Sequence, residues 1–316
     1  MKDSTQRRGG VSAGGLAEGR GQEKGSWRES WWGTQLRALL NDGPALMGLF
    51  TLLLFFFLAI FGPYIVPHDP LMIHDLPDGR LASSQPPSLI HWFGTTTYAR
   101  DVFSQIIIGA RVAVIVGFLS AIATVFVGTN VGLWAGYRGG WVDDVLMRIV
   151  DITYGIPFLP FAIILVSLLG SGMWNVILVI ALLFWRSTAR VIRAQVLSLK
   201  ERPFVWSAKA AGASDFHIVY RHIMPNVLPL VLLYTALGIG SSVLTEAGLS
   251  FLGFGNPDQF SWGITLRQAF QAGAARTAWW WIVPPGVAIS LFVVAAYVVG
   301  RSIETIADPR LRDRTY

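Results

Sequence analysis

Six stretches of this 316-residue chain, each about 20 residues or longer, are dominated by apolar side chains. A run of that length crosses a hydrocarbon layer about 30 Å thick as one α-helix. In lipid every backbone N–H and C=O must find a partner within the protein, so spanning segments are helices or closed barrels. Barrel strands alternate apolar and polar residues, whereas these runs are continuous. The predicted class is therefore an all-α polytopic membrane protein with six transmembrane helices. Composition agrees: 53% of residues are hydrophobic and only 14% are charged, too few to solvate the surface of a soluble domain of this size. The chain has no cysteine, which excludes disulfides, thiolate metal sites and cysteine nucleophiles. No apolar signal-peptide region is expected within the first 40 residues.

Residues 1–25 are rich in Gly, Ser, Arg and Glu and are expected to form a disordered tail. Residues 26–43 are expected to form an interfacial amphipathic helix, with Trp27, Trp31, Trp32, Leu36, Leu39 and Leu40 on one face. The predicted spans are 44–66, 105–134, 145–169, 174–193, 227–249 and 281–303. Residues 67–104 and 250–280, rich in Pro, Gly and Trp, are expected to form a folded extracytoplasmic cap. Basic residues set the orientation. Seven precede the first span and seven, Arg186 to Arg221, lie around the loop between spans four and five. The C-terminal tail, taken as 306–316, adds Arg310, Arg312 and Arg314 to Arg301 at the end of the last helix. The intervening outer segments hold few. Six spans with both termini on the cytoplasmic side satisfy these loops together, and this bias, not nucleic-acid binding, accounts for the net charge of +6.

The polar segment at 204–226, FVWSAKAAGASDFHIVYRHIMPN, interrupts the apolar runs. It reads as a short helix, a glycine turn and a second helix ended by Pro225. Small residues dominate the first part: Ser207, Ala208, Ala210, Ala211, Gly212 and Ala213. They allow close approach by a partner surface. Gly212 suits the left-handed position at a helix C-terminus. Ser214 or Asp215 is placed to cap the next helix, and Pro225 and Pro229 mark the transition into span five.

At these residues the chain resembles the permeases of the oligopeptide/dipeptide/nickel class of ABC importers, and within that class the C-type permease. The resemblance runs from about residue 31 to 312. The family pattern is roughly E-A-A-x-A-x-G-A-S followed by I-x-x-R-H-I-x-P-N. Ala208, Ala210, Gly212, Ala213, Ser214, Ile218, Arg221, His222, Ile223, Pro225 and Asn226 match it. Trp206 stands where the pattern has glutamate, and Ser207 where it has alanine. The stretches FGTTTYARDVFSQIIIGARVAVIVG, WVDDVLMRIVDITYGIPFLPFAIIL and LTEAGLSFLGFGNP and the closing DPRLRDR are also similar, with Thr96 and Ala99 replacing an Asp and a Gly. The resemblance implies a type I ABC importer permease fold with a cytoplasmic coupling helix, in a prokaryotic cytoplasmic (inner) membrane. Residues Phe204, Val205, Trp206, Ser207, Ala208, Lys209, Ala210, Ala211, Gly212, Ala213, Ser214 and Asp215 would contact the ATPase. Arg221, His222, Pro225 and Asn226 would support that loop. The implied partners are a second homologous permease, two ATPase subunits as a heterodimeric pair and an external solute-binding protein. The implied substrates are peptides or solutes of similar size: oligosaccharides, nickel chelates or glutathione.

Other residues carry weaker expectations. Arg148 and Asp151 are spaced to pair on one helix face. Glu246, a lone carboxylate at membrane depth, is a candidate for the translocation path, with Tyr154 and Ser241; Asn130, Thr153 and Ser167 are further polar candidates. Gly128, Gly132 and Gly136 form a close-packing row, and Pro157 and Pro160 are expected to break or bend span three. Trp262, Trp279, Trp280 and Trp281 have the chemistry for sugar stacking, though tryptophan is also usual at membrane interfaces. None of the four lysines lies in a GxxxxGK[ST] context, so ATP and Mg²⁺ are expected on partner subunits and no cofactor in this chain. No HExxH or GxSxG pattern supports a membrane enzyme. A self-sufficient secondary transporter or channel is the alternative, which broken helices and intramembrane charges would favour.

Overall fold

The computed structural model describes residues 42–256 and 259–307. The expected N-terminal tail, nearly all of the amphipathic helix and most of the C-terminal tail lie outside the described residues. Ten helices occur among those described: α1 (Gly43–Ile65), α2 (Val102–Arg138), α3 (Gly140–Gly155), α4 (Phe158–Leu169), α5 (Met173–Leu199), α6 (Pro203–Ala210), α7 (Asp215–His217), α8 (Met224–Leu252), α9 (Trp262–Gln271) and α10 (Trp279–Ala307). A π-helical stretch, Ile218–Ile223, joins α7 to α8, so Asp215–Leu252 is one continuous 38-residue helix. Extended pairing among the described residues is limited to two isolated antiparallel bridges.

Among the described residues five helices are long and apolar enough to cross a membrane, and six spans result if α3 and α4 count as one. The third predicted span, expected to break or bend at Pro157 and Pro160, does so at the first of them. It is two helices meeting at 92°, parted at Ile156 and Pro157, where a proline has no N–H to continue the ladder.

Packing follows the small residues. A Cβ on Gly128, Gly132 or Gly136 would come within 2.5 Å of Trp185 O, 2.6 Å of Ala189 O or 2.9 Å of Arg193 O, respectively. The row thus brings the α2 and α5 backbones into direct apposition, as small-residue stripes do in membranes. Phe55, Trp262 and Phe292 knit α1, α9 and α10, with ring centroids 5.3 to 6.2 Å apart. Ser302 Oγ donates to Asp42 Oδ2 at 2.7 Å, tying the start of α1 to the end of α10.

Of the cap expected at residues 67–104, residues 67–101 are folded without helices and the rest begins α2. Trp280 Nε1 donates to Thr95 O at 3.2 Å and Trp262 Nε1 to Ile106 O at 2.9 Å. Trp262, Trp280 and Trp281 are buried and only Trp279 is exposed, so three of the four tryptophans are core residues rather than a stacking surface. Thr96 takes over work open to an aspartate: its Oγ1 accepts from Tyr98 N and Arg100 N, each at 3.2 Å. Ala99, where the resembled pattern has glycine, is left-handed with φ 55°. The rings of His68, His74 and His91 gather within 4.9 Å of one another. Burial, then the facing His68 and His91, push the His74 imidazole pKa down.

Candidate functional site: the α6–α7 hairpin

Proline at N1 starts α6, where its missing N–H costs nothing. Val205 is 4% exposed and packs with Leu133 of α2, Ile192 and Val196 of α5, and Ile218, Val219, Ile223 and Val227 along the α7–α8 rod. One valine therefore fixes α6 on the ends of three long helices. The close of α6 is a Schellman motif: Ala213 N donates to Ala208 O at 3.1 Å and Gly212 N to Lys209 O at 3.0 Å. Gly212 has φ 81°, as that motif requires. Of the two expected caps, Ser214 is the one used: its Oγ accepts from His217 N at 3.3 Å.

Asp215 has a different task. Its carboxylate accepts from Tyr137 Oη at 3.1 Å and lies 3.2 Å from Arg138 Nη2. Both partners end α2, a 37-residue helix, which at 1.5 Å per residue is about 55 Å long. It overhangs a hydrocarbon layer of about 30 Å, and the overhang anchors the hairpin. Tyr220 Oη adds a bond to Asn130 Oδ1 at 2.6 Å. A cavity of about 300 Å³ opens between α2, the α5 end and α6, lined by Arg138, Lys200, Glu201, Trp206, Lys209 and Asp215.

The outward surface of the hairpin is formed by Phe204, Trp206, Ser207, Lys209, Ala210, Ala211 and Phe216, with Gly212 between them. Trp206 is 58% exposed and Phe216 65%. The hairpin therefore presents two large exposed aromatics beside small residues. Among the supporting residues, Arg221 is exposed, and Asn226 Nδ2 donates to His222 O at 2.6 Å. Pro225 does not end a helix, which corrects the sequence reading. Met224 N instead bonds to Val219 O, five residues back. The wider π turn moves the preceding carbonyls off the proline ring, so the rod continues.

The three expected pathway residues do not share one place. Tyr154 and Ser241 line a cavity of about 360 Å³ with Thr124, Arg186, Thr188 and Tyr234. The guanidinium carbons of Arg186 and Arg190 sit 4.7 and 4.2 Å from the Tyr154 ring centroid. Glu246 is buried elsewhere, accepting from Ser250 Oγ at 2.6 Å with Ser261 as a second hydrogen-bond neighbour. The expected Arg148–Asp151 pair is also replaced: Asp151 Oδ1 accepts from Arg190 Nη2 of α5 at 2.8 Å.

A family model described as binding-protein-dependent transport system inner membrane component matches residues 128–313. A second, the N-terminal transmembrane domain of oligopeptide transport permease C, matches residues 30–87. The chain is 35% identical over 277 residues to the dipeptide transport system permease protein DppC of Bacillus subtilis, covering 87% of this chain and 85% of that one. It is 35% identical over 289 residues to the glutathione transport system permease protein GsiD of Pectobacterium atrosepticum, covering 90% and 92%. A Brucella suis protein named as a peptide permease is 36% identical over 273 residues, covering 86% and 88%.

Proposed function

This chain belongs to the family of binding-protein-dependent transport system inner membrane components, and from that membership we propose that it is one permease subunit of an ATP-driven importer of peptides or solutes of similar size. A second homologous permease completes the pathway. An external binding protein delivers the solute, and two ATPase subunits bind ATP and Mg²⁺. Both termini and the α6–α7 hairpin face the cytoplasm of a prokaryotic cell.

The observation that carries the reading is the seating of α6: Val205 anchors it to three long helices while Trp206 and Phe216 remain exposed. A soluble motor pushing on that surface moves the ends of α2, α5 and α8 together. When the ATPases close on ATP, the hairpin follows and the helices pass from an inward-facing to an outward-facing arrangement. The binding protein then releases its solute into the opened cavity, and hydrolysis resets the cycle. The driving energy is the difference in ATPase affinity for the two states.

The test uses the absence of native cysteine. Trp206→Cys supplies a single crosslinking position in native membranes. Recovery of an ATPase subunit joined at residue 206, with a second permease in the purified complex, supports the reading. Recovery of the chain alone, together with uptake that survives ATP depletion, overturns it in favour of a self-sufficient transporter.

A further inference from the structure

Four metal-ligand side chains from separate parts of the 67–104 segment meet beside the start of α2. His68 lies three residues beyond the end of α1, His74 and His91 come from the non-helical cap, and Asp101 is the N-cap of α2. His91 Nδ1 is 2.9 Å from Asp101 Oδ1. His68 Nδ1 is 4.0 Å from Asp101 Oδ2. One ligand atom from each of His68, His91 and Asp101 fits within a set no more than 4.8 Å across. The His74 ring stands 4.7 Å from that of His68 and 4.9 Å from that of His91.

We propose that His68, His91 and Asp101, with His74 as the fourth donor, form a binding site for a borderline divalent transition-metal ion such as Zn²⁺. Tetrahedral bonds of about 2.0 Å place neighbouring ligand atoms about 3.3 Å apart. The observed separations bracket that value, and side-chain shifts of up to about 1.5 Å close the longer ones.

Donor chemistry narrows the ion. Imidazoles with one carboxylate and no thiolate suit Zn²⁺, Ni²⁺ or Cu²⁺, whereas Mg²⁺ and Ca²⁺ prefer oxygen. The carboxylate is already oriented: Ser104 N and Oγ hold Asp101 Oδ2 at 2.8 and 2.7 Å, leaving Oδ1 toward His91. That is the supporting bond ligating carboxylates commonly have. Two further atoms point the same way. His68 Nδ1 and His74 Nε2 are buried without a hydrogen-bond partner among the described residues. Buried polar atoms are normally satisfied, and a metal ion satisfies imidazole nitrogens by accepting their lone pairs.

A filled site joins the end of α1, the cap and the first turn of α2 at one point. It is independent of the proposed transport role, because none of its ligands lies in the α6–α7 hairpin or in the Tyr154 cavity.

The experiment uses the full chain in detergent, purified without a polyhistidine tag, equilibrated with ZnCl₂ and freed of unbound ion. About one zinc per chain is expected, and Co²⁺ in its place should give the visible bands of a tetrahedral nitrogen–oxygen site. The His68→Gln/His74→Gln pair, at part-exposed positions, should bind zinc at least tenfold more weakly while eluting as one folded species. Should that pair misfold, His68→Gln alone is compared, and the cobalt spectrum of the unaltered chain decides independently. Absence of stoichiometric zinc and of tetrahedral cobalt bands in the unaltered chain overturns the proposal. So does undiminished zinc binding by a folded variant.

Discussion

Arg193 holds Asp143 through two parallel hydrogen bonds, Nε to Oδ1 at 2.5 Å and Nη2 to Oδ2 at 2.6 Å. The residues are 50 apart in sequence, and the pair fastens α3 to α5 beside the α6–α7 hairpin. A planar guanidinium makes this fork and an ammonium does not. Arg193→Lys is expected to cost about 1–2 kcal/mol despite keeping the charge. Thermal unfolding of the solubilised chain measures it, and a cycle with Asp143→Asn should show that the two losses are not additive.

Gly132 and Gly248 make a matched contrast. A Cβ at Gly132 meets Ala189 O at 2.6 Å, whereas one at Gly248 meets nothing within 4 Å. Gly132→Val should part α2 from α5 and abolish recovery of monodisperse protein. Gly248→Ala, inside α8, should raise stability by about 0.5–1 kcal/mol through helix propensity alone. Fluorescence-detected size exclusion after a heat step reads both.

At Gly212 space and strain separate. A Cβ there would meet nothing within 4 Å, yet φ is 81°. Substitution is therefore limited by backbone conformation, at about 1–2 kcal/mol for an ordinary L-residue. Uptake by membrane vesicles should fall in the order Gly, Asn, Ala, Val, because asparagine tolerates the left-handed region. Membrane insertion should be equal in all four. Unimpaired uptake by Gly212→Val would remove the hairpin from the transport cycle.

Tyr154 presents its ring to two guanidiniums, so the ring face carries the contact. Tyr154→Phe is expected to unfold within about 0.5 kcal/mol of the unaltered chain, whereas Tyr154→Ala should lose about 1 kcal/mol or more. Calorimetry or denaturant melts of the solubilised protein distinguish the two.

The sequence revealed most where chemistry is local. Gly212 and Ser214 announce a helix stop and a helix start, and both act so. The spacing of Gly128, Gly132 and Gly136 foretells a packing row, although only the fold supplies α5 as its partner. Prolines mark the position of a break but not its outcome: Pro157 stands at a 92° turn, whereas Pro225 is absorbed by a π turn. Charge pairing is less legible, because Asp151 bonds Arg190, 39 residues away, rather than the neighbouring Arg148. Trp262, Trp280 and Trp281 are core and only Trp279 is exposed, a division that composition does not reveal because amphipathic rings serve either setting. The histidine cluster was not legible, since residues 68 to 101 show no periodicity that brings four side chains together.

The π stretch at Ile218–Ile223 also sets the angular phase of the long rod. Opening one turn to a five-residue hydrogen bond acts as a single-residue insertion in an α-helix. Each residue is worth about 100° of rotation about the helix axis. Ser241 and Glu246 thus owe the directions they face to one extra residue near the opposite end. Removing one residue between 218 and 223 would turn α8 by more than a quarter revolution relative to the hairpin. The hairpin and the distant cavity are keyed to each other like teeth on one shaft.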